Sequence, residues 1–358
     1  MPHDPPHDPN TSAAPATARP ADGANPVTVE VTRGGIVESR HRGSAVIVDG
    51  RGAVQAAWGD IQRPIYPRSA IKALQALPMV ETGAADAYGF GPRQLALACA
   101  SHNGEALHVE TVTGMLSAMG LDESALECGS HWPYAEADAH ALAAQGKAPD
   151  QRHNNCSGKH AGMLALASHL GVDPKGYTDQ RHPVQQRMMG TIESMTGLDL
   201  GRAAVGIDGC SVPTWAIPLE NLAFAFAKLG TGEGMPDARA DAARRLVAAC
   251  LQEPFMVAGT GRFCTDFMDA TAPRIFVKTG AEGVFCAAVP AYGLGVALKC
   301  DDGAGRAAEV MLVAVLRSIG VLDDVPDETV RRFLEVAIEN RRGTHVGEIR
   351  PAHGWLAF

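Results

Sequence analysis

The chain has 358 residues, 46% hydrophobic and 5% aromatic, so it is long enough to bury a sizeable core built largely from aliphatic side chains. Its formal net charge of −9 argues against a nucleic-acid partner and against binding to an anionic membrane surface. No window approaches the ~18 consecutive apolar residues of a membrane-spanning helix. The first residues lack a basic segment followed by an apolar one, so we predict no secretory signal.

Cysteine usage indicates a reducing compartment. The 8 cysteines are dispersed over a large chain and do not form the dense pattern of a small disulfide-stabilised domain. We therefore predict a cytoplasmic protein.

The first 26 residues differ in composition from the rest of the chain. They are rich in Pro, Ala, Asp and Thr and show no apolar periodicity, so residues 1–26 are predicted to be a disordered tail. Residues 27–358 contain no evident internal repeat and are predicted to form a single domain.

Strand and helix patterns then follow in chain order. Short β-branched runs predict strands at residues 27–33, 35–41, 44–49 and 53–58, and the turn at residues 49–52 predicts a hairpin between the last two. Helical periodicity predicts helices near residues 69–78, 92–99, 107–119, 136–146, 158–170, 184–197, 216–229 and 237–253. Strands return at residues 274–278, 283–289 and 294–299, and helices near 304–319 and 327–339 close the chain.

This order predicts an α/β (α+β) fold. Strands at both ends of the chain would form one antiparallel sheet, with helices packed on it and a helical lobe inserted in the middle. If the terminal strands pair, the helix that starts at Ser69 and the strand that carries Lys278 meet at one junction.

Ser69 and Lys72 are the first candidate catalytic pair. Side chains at i and i+3 lie on the same helical face, so a hydroxyl and an amine could meet there. Lysine acts as a base only when neutral, and burial or a neighbouring cation such as Arg68 favours that form. The alternative interpretation is a helix cap at Ser69 followed by a solvated lysine.

Two further short motifs could contribute to the same site. Ser101, His102 and Asn103 follow an apolar helical run and could present a hydroxyl and an amide to one ligand, although they also suit a helix C-terminus. Lys278 and Gly280 lie at the end of a predicted strand, where the lysine could place a cation in a cleft and the glycine admits a close approach. Each motif alone is weak evidence.

Taken in order, the three motifs are more informative. Ser-x-x-Lys, Ser-x-Asn and Lys-Thr-Gly occur in this order in serine β-lactamases and penicillin-binding proteins, which form an acyl-enzyme. This chain has His102 where aspartate is usual. Similar chemistry on a different substrate is therefore predicted.

A fourth group consists of two cysteines and a lysine. Cys156 and Lys159 open a predicted helix, and Cys210 follows in a Gly-rich turn. Two thiolates and a nitrogen would suit zinc. Two buried cysteines beside a helix N-terminus would explain the same pattern.

Six motifs in order closely resemble the asparaginase II family, the rhizobial-type, thermolabile L-asparaginases. They are P-R-S-A-I-K, A-S-H-N, H-N-N-C-S-G-K-H-A-G-M, G-I-D-G-C-S-V-P, P-F-M-V-A-G-T-G-R-F and V-K-T-G-A-E-G-V-F, and the resemblance runs from about residue 27 to the C-terminus. It implies a fold like that of serine β-lactamases and penicillin-binding proteins, hydrolysis of L-asparagine to L-aspartate and ammonia, and a homodimer.

The resemblance also implies roles for individual residues. The catalytic residues would form two serine–lysine tandems, with Ser69 as nucleophile and Lys72 as its base, and Ser101 with Lys278 as a second tandem that relays protons. One zinc ion would be held by Cys156, Lys159 and Cys210, and Asp208 would pair with the substrate ammonium. The predicted substrate-binding residues are Arg68, His102, Asn103, Asp208 and Gly280.

Two alternatives remain open at the sequence level. The lactamase-like motifs also permit a glutaminase or another serine–lysine amidohydrolase resembling a β-lactamase, although neither predicts the two cysteines and the lysine. A catalytically idle zinc-containing protein that binds amino acids would keep the same fold.

Overall fold

The main sheet is built from both ends of the chain. The computed structural model describes residues 23–356, so most of the tail predicted for residues 1–26 lies outside the described residues. The strands are β1 (Val27–Arg33), β2 (Ile36–Asp49), β3 (Val54–Trp58), β4 (Pro64–Ile65), β5 (Val205–Ile207), β6 (Pro213–Trp215), β7 (Ile217–Pro218), β8 (Phe276–Thr279), β9 (Val284–Val289), β10 (Leu294–Cys300), β11 (Val336–Glu339) and β12 (His345–Pro351).

Eight of these strands form one antiparallel sheet in the order β11-β12-β1-β2-β10-β9-β8, with β3 paired to β2. The predicted pairing of the two chain ends is confirmed, because β2 aligns Val48 with Gly295 of β10 and β1 aligns Val29 with Pro351 of β12. Two small two-stranded sheets, β4–β7 and β5–β6, lie apart from the main sheet.

Helices fill the region between β4 and β8 and follow β10. They are α1 (Lys72–Glu81), α2 (Ala84–Ala87), α3 (Pro92–Ala98), α4 (Ala106–Ala118), α5 (Glu136–Ala144), α6 (Ser157–Leu170), α7 (Pro183–Thr196), α8 (Leu219–Thr231), α9 (Asp237–Gln252), α10 (Pro254–Val257), α11 (Phe263–Ala270), α12 (Gly305–Ser318) and α13 (Asp327–Leu334). No helix within residues 23–356 is long and apolar enough to span a bilayer.

Helices cover both faces of the sheet. Gly295 of β10 lies against α8, where an added Cβ would approach Ala223 O to 2.0 Å. Gly43 of β2, which pairs with Cys300 of β10, faces Met311 of α12. Because successive residues of a strand point to opposite faces, positions 295 and 300 lie on different faces. The predicted α/β (α+β) layering, with an inserted helical lobe, is therefore confirmed.

Two predicted element boundaries were wrong. Residues 35–41 and 44–49 were predicted as two strands but form the single strand β2, because Gly43 fits against the Lys299 carbonyl where a Cβ would clash. The last predicted helix, 327–339, ends at Leu334. Residues Val336–Glu339 instead pair with β12, since hydrogen bonding to a neighbouring strand overrides local helical pattern.

Candidate active site

Ser69 lies in a tight turn between β4 and α1. Residues Arg68–Ile71 form a 3₁₀ turn that continues directly into α1, and Arg68 adopts a left-handed φ of 51°. Such a conformation costs a non-glycine residue about 1–3 kcal/mol and persists only where surrounding contacts hold it. The Arg68 Nε donates to Asp208 Oδ1 at 2.7 Å, which fixes the turn from outside. The half-buried Ser69 is thereby presented at the start of α1.

Gly280 brings the end of β8 against this turn. A Cβ at this position would lie 2.5 Å from the Pro67 carbonyl oxygen and 3.2 Å from the Cβ of Ala70. Only a residue without a side chain permits this approach. The predicted meeting of the Ser69 helix with the strand that carries Lys278 is therefore confirmed.

The two lysines converge on one hydroxyl. The Nζ of Lys72 donates to Ser101 Oγ at 3.0 Å, and the Nζ of Lys278 donates to the same oxygen at 2.8 Å. Both lysines are 0% exposed and Ser101 is 4% exposed. Lys72 also donates to the carbonyls of Ala100 and Asn155. Within residues 23–356 it makes no hydrogen bond to Ser69.

Lys278 is poised to exchange a proton near neutral pH. Burial, followed by the positive charge of Lys72, lowers the pKa of Lys278 to about 7. A lysine with this pKa is partly neutral at pH 7 and can act as a base. Because both lysines contact Ser101 Oγ, the charge of Lys72 lies close enough to Lys278 to lower its pKa.

A pocket of about 410 Å³ opens over these groups. Its lining residues are Ser69, Ser101, Tyr134, Asn155, Arg262, Thr279, Gly280 and Ala281. Sequence reasoning placed Ser69, Ser101 and Gly280 at the site but did not single out the other five. Four of these five lie inside three of the six family motifs, and that signal could have identified them: Asn155, Arg262, Thr279 and Ala281.

Two predicted substrate-binding residues have both side-chain ends engaged by protein. His102 is 0% exposed, its Nε2 lies 2.9 Å from Ser157 Oγ, and its Nδ1 accepts from Gly104 N. The Asn103 amide donates to Glu105 and to the Thr260 carbonyl and accepts from Arg262. Their direct contact with a substrate stays a prediction, which these hydrogen bonds do not favour.

Cys156, Lys159 and Cys210 meet at the N-terminus of α6. Gly158 lets α6 approach the Leu97 carbonyl, and Lys159 Nζ lies 3.1 Å from Cys210 Sγ. A hydrogen bond from Cys156, together with the charge of Lys159, lowers the pKa of Cys210 to about 5. The same thiol pairing, followed by burial, raises the pKa of Cys156 to about 12. Against the effect of burial, Cys210 and Cys156 in turn raise the pKa of Lys159. With the Lys159 proton lost, two cysteine sulfurs and an amine would be a donor set that fits zinc.

Asp208 connects this group to the Ser69 turn. Burial opposes its charge, but Lys159 and the hydrogen bond from Arg68 outweigh burial and lower the pKa of the Asp208 carboxyl. Its carboxylate is therefore negative at neutral pH and already faces two cations. Pairing with a substrate ammonium stays a prediction.

Another group of metal-binding side-chain types lies away from the pocket. His41 Nδ1 and Cys300 Sγ contact the carboxylate of Asp302 at 2.6 and 2.9 Å, and Ala304 N donates to it as well. These contacts cap the turn before α12 and explain the group without an ion.

The sequence pattern of the family described as L-asparaginase II matches residues 29–351, nearly the whole chain. The chain belongs to the L-asparaginase II family. Membership of this family makes it an amidohydrolase. Two lysines bonded to one buried serine are consistent with a serine–lysine enzyme. No curated protein sequence matches this L-asparaginase II family member.

Several solved structures are similar to this L-asparaginase II family member. The protein Mglu in its native form is 16% identical with a TM-score of 0.45, over 84% of this chain and 68% of that chain. A beta-lactamase from Mycobacterium bovis is 16% identical with a TM-score of 0.40, over 77% and 94%. A class C beta lactamase from Rhodobacter sphaeroides is 14% identical with a TM-score of 0.40, over 78% and 94%. The identification itself comes from the family match.

Proposed function

We propose that this protein is an L-asparaginase that hydrolyses the side-chain amide of L-asparagine to L-aspartate and ammonia through an acyl-enzyme. The observation that carries this proposal is the convergence of Lys72 and Lys278 on Ser101 beside the pocket that Ser69 lines. The arrangement supplies an accessible hydroxyl next to a buried proton relay, which is what serine acyl transfer requires.

Ser69 is the nucleophile in this proposal. It is half-buried at the pocket wall, whereas Ser101 is almost fully buried and its oxygen accepts hydrogen bonds from both lysines. The backbone N–H groups of Ser69 and Ala281, which both line the pocket, would form the oxyanion hole. The left-handed Arg68 directly before Ser69 sets the direction of that serine.

The proton path follows the buried chain. Ser69 Oγ attacks the amide carbon as its proton passes through Lys72 and Ser101 toward Lys278, and the departing nitrogen takes a proton back and leaves as ammonia. Water then attacks the acyl ester, a lysine accepts its proton, and aspartate leaves as Ser69 is restored. A pKa of about 7 lets Lys278 both accept and return a proton near neutrality.

One zinc ion would be held by Cys156, Lys159 and Cys210. Such an ion would supply positive charge and a Lewis-acidic centre next to Asp208. Against the effect of burial, Cys210 and Cys156 raise the pKa of Lys159, so Lys159 would give up its proton when it became a ligand. Asp208 and Arg68 would stay paired beside the Ser69 turn.

The test is ammonia release from L-asparagine and L-glutamine by wild type, Ser69→Ala and Ser101→Ala, with the surface variant Ser124→Ala as control. We expect wild type to prefer asparagine, Ser69→Ala to fall to background, and Ser101→Ala to lose on the order of 10²–10⁴-fold in kcat. Mass spectrometry of quenched wild type should locate the acyl group on Ser69.

Turnover that survives Ser69→Ala, with an acyl group on Ser101, would reverse the assignment of nucleophile and relay. A preference for glutamine would make the protein a glutaminase. Binding of asparagine without ammonia release by well-folded wild type would identify a non-catalytic amino-acid-binding protein.

A further inference from the structure

Arg262 lines the reaction pocket with most of its hydrogen-bonding capacity unused. Its Nη1 donates to Asn103 Oδ1 at 2.8 Å, and its guanidinium lies over the Tyr134 ring, 5.8 Å from the ring centroid. Among the described residues no carboxylate lies within ion-pair distance of it. A guanidinium has five N–H donors, so several remain for a ligand in the pocket.

The acidic groups nearest to Arg262 do not neutralise it. The Glu105 carboxylate accepts hydrogen bonds from the backbone N–H and the hydroxyl of Thr260 and from the Asn103 amide. Burial raises the pKa of Glu309 to about 7, although Arg262 opposes this, so Glu309 carries only part of a charge at neutral pH. With Lys278 also close, this end of the pocket favours an anion.

The loop that carries Arg262 is held in place from several sides. Thr260 N and Oγ1 donate to Glu105 at 2.7 and 2.8 Å, and the Thr260 carbonyl accepts from Asn103 at 3.1 Å. Gly259, at φ 108°, allows the loop to lie directly on Asn103 and Glu105. Because the loop is already ordered, binding of an anion to Arg262 costs little conformational entropy.

Arg68, the other arginine near Ser69, already forms an ion pair within the protein. Its Nε is paired with Asp208 at 2.7 Å, and both side chains are largely buried, at 29% and 11% exposure. A substrate carboxylate that approached Arg68 would compete with this pair. Arg262 therefore is the better receptor for an anionic group of the substrate.

We propose that Arg262 binds the α-carboxylate of the amino-acid substrate, and that Asn103 positions it for that contact. This inference rests on the proposed hydrolysis of an amino-acid amide. It assigns to Arg262 the selection of substrates with a free α-carboxylate, while the amide reacts at Ser69.

The test compares L-asparagine with L-asparagine methyl ester, whose carboxylate is neutral, in wild type, Arg262→Gln and Arg262→Lys. Arg245→Gln, which removes a surface arginine paired with Asp86, is the matched control. For L-asparagine we expect Arg262→Gln to lose on the order of 10- to 150-fold in kcat/KM, mostly through KM, because a charge-assisted contact is lost. Arg262→Lys should lose less, because it keeps the charge without the bidentate geometry.

All rates are compared on the pH plateau above the titration of Lys278, because Arg262 also lowers the pKa of that lysine. There the ester should bind wild type poorly, and Arg262→Gln should change its kcat/KM by less than about threefold, since the two changes remove the same interaction. An equal loss for acid and ester would overturn the proposal and leave Arg262 with a structural role. Melting temperatures of the variants control for misfolding.

Binding of L-aspartate, measured by titration calorimetry, separates this inference from the proposed function. If wild type hydrolyses no amide but Arg262→Gln binds aspartate more weakly than wild type, the asparaginase activity is refuted. The role of Arg262 in binding the carboxylate is then supported. Equal aspartate binding by Arg262→Gln and wild type would refute the receptor even if asparagine is hydrolysed.

Discussion

Ser101, at the pocket wall, accepts hydrogen bonds from Lys72 and Lys278, whose side chains are fully buried. Two ammonium groups so close in a medium of low dielectric repel each other strongly, and the pair reduces that repulsion when one of them gives up its proton. Lys278 is the lysine that loses its proton more readily, because its pKa is lowered to about 7. In the proposed mechanism the hydroxyl of Ser101 would pass a proton between the two lysines.

The lowered pKa of Lys278 predicts a pH dependence for the reaction. The groups that act on it are Lys72 and Arg262, which lower its pKa, and Cys264 and Cys156, which raise it. We expect kcat/KM for L-asparagine to rise with pH through about 7 and to fall about tenfold for each pH unit below, because the base must be neutral.

A pH profile on wild type and Arg262→Gln measures this effect. Loss of the Arg262 cation should move the rising limb to higher pH, whereas the Arg245→Gln profile should coincide with that of wild type. A rate that stays constant between pH 5 and 8 would show that Lys278 is not the base.

The lowered pKa of Lys278 also makes the free energy of unfolding depend on pH. The folded-state pKa of Lys278 lies below the unfolded value of about 10.4, so the unfolded chain binds this proton more readily. Keeping the Lys278 ammonium buried lowers the free energy of unfolding. This loss is fully present below pH 7 and disappears as pH rises toward the pKa of lysine in the unfolded chain. This contribution to the free energy of unfolding therefore increases with pH between those two values.

At the scale of elements, the active site depends on close contact between the end of β8 and the turn before α1. Gly280 N donates to the Val284 carbonyl at 2.7 Å, which closes the β8–β9 hairpin, while its Cα faces the Pro67 carbonyl. The contact brings the strand that carries Lys278 against the Ser69 turn. Neither element alone would determine the distance between them.

We predict that Gly280→Ala displaces β8 from the Ser69 turn, because its Cβ would lie 2.5 Å from the Pro67 carbonyl oxygen. Crowding of this kind costs roughly 1–3 kcal/mol of unfolding free energy. The loss of activity should exceed what the loss of unfolding free energy alone would cause, since the separation of Ser69 and Lys278 changes. Urea unfolding and ammonia-release kinetics measure the two effects.

Gly114→Ala is the matched control for that substitution. Gly114 lies exposed within α4 with open space around it, and its φ is not positive. Alanine there should stabilise the protein by about 0.5–1 kcal/mol and leave activity unchanged. Equal behaviour of the two alanine variants would contradict the role assigned to Gly280.

At the scale of the whole molecule, the cysteine–lysine group joins distant parts of the chain. Lys159 and Cys156 begin α6, and Cys210 lies in the loop between β5 and β6 that also carries Asp208. Binding of an ion by these residues would couple both parts to global unfolding, because the site does not exist in the unfolded chain. The homodimer and the cytoplasmic location stay predictions.

We predict that the protein, purified with zinc, holds about one zinc ion per chain at these residues. Cys210→Ser should lose the ion and lower the melting temperature, and chelation of wild type should have the same effect. Cys128→Ser is the control, because Cys128 Sγ donates to Gln151 O and a serine hydroxyl can do the same. Elemental analysis that finds equal zinc in wild type and Cys210→Ser would exclude this site.

The sequence by itself determined the local features of this protein. Strand and helix patterns predicted most elements, and the spacing of Ser69–Lys72, Cys156–Lys159 and the Lys278 strand end indicated their chemistry, because residues within one or two turns share a local geometry. The order of strands at the two chain ends also predicted the mixed fold and the junction at the site.

Only the tertiary structure decided which side chains meet. Lys278 contacts Ser101 across 177 positions, and Arg262 contacts Asn103 across 159. Such partners are determined by how sheet and helices pack, and the same packing gives Asn103 Oδ1 a hydrogen bond from Arg262. Local pattern cannot specify these contacts, since buried polar groups take the partners that the folded interior brings within hydrogen-bond distance.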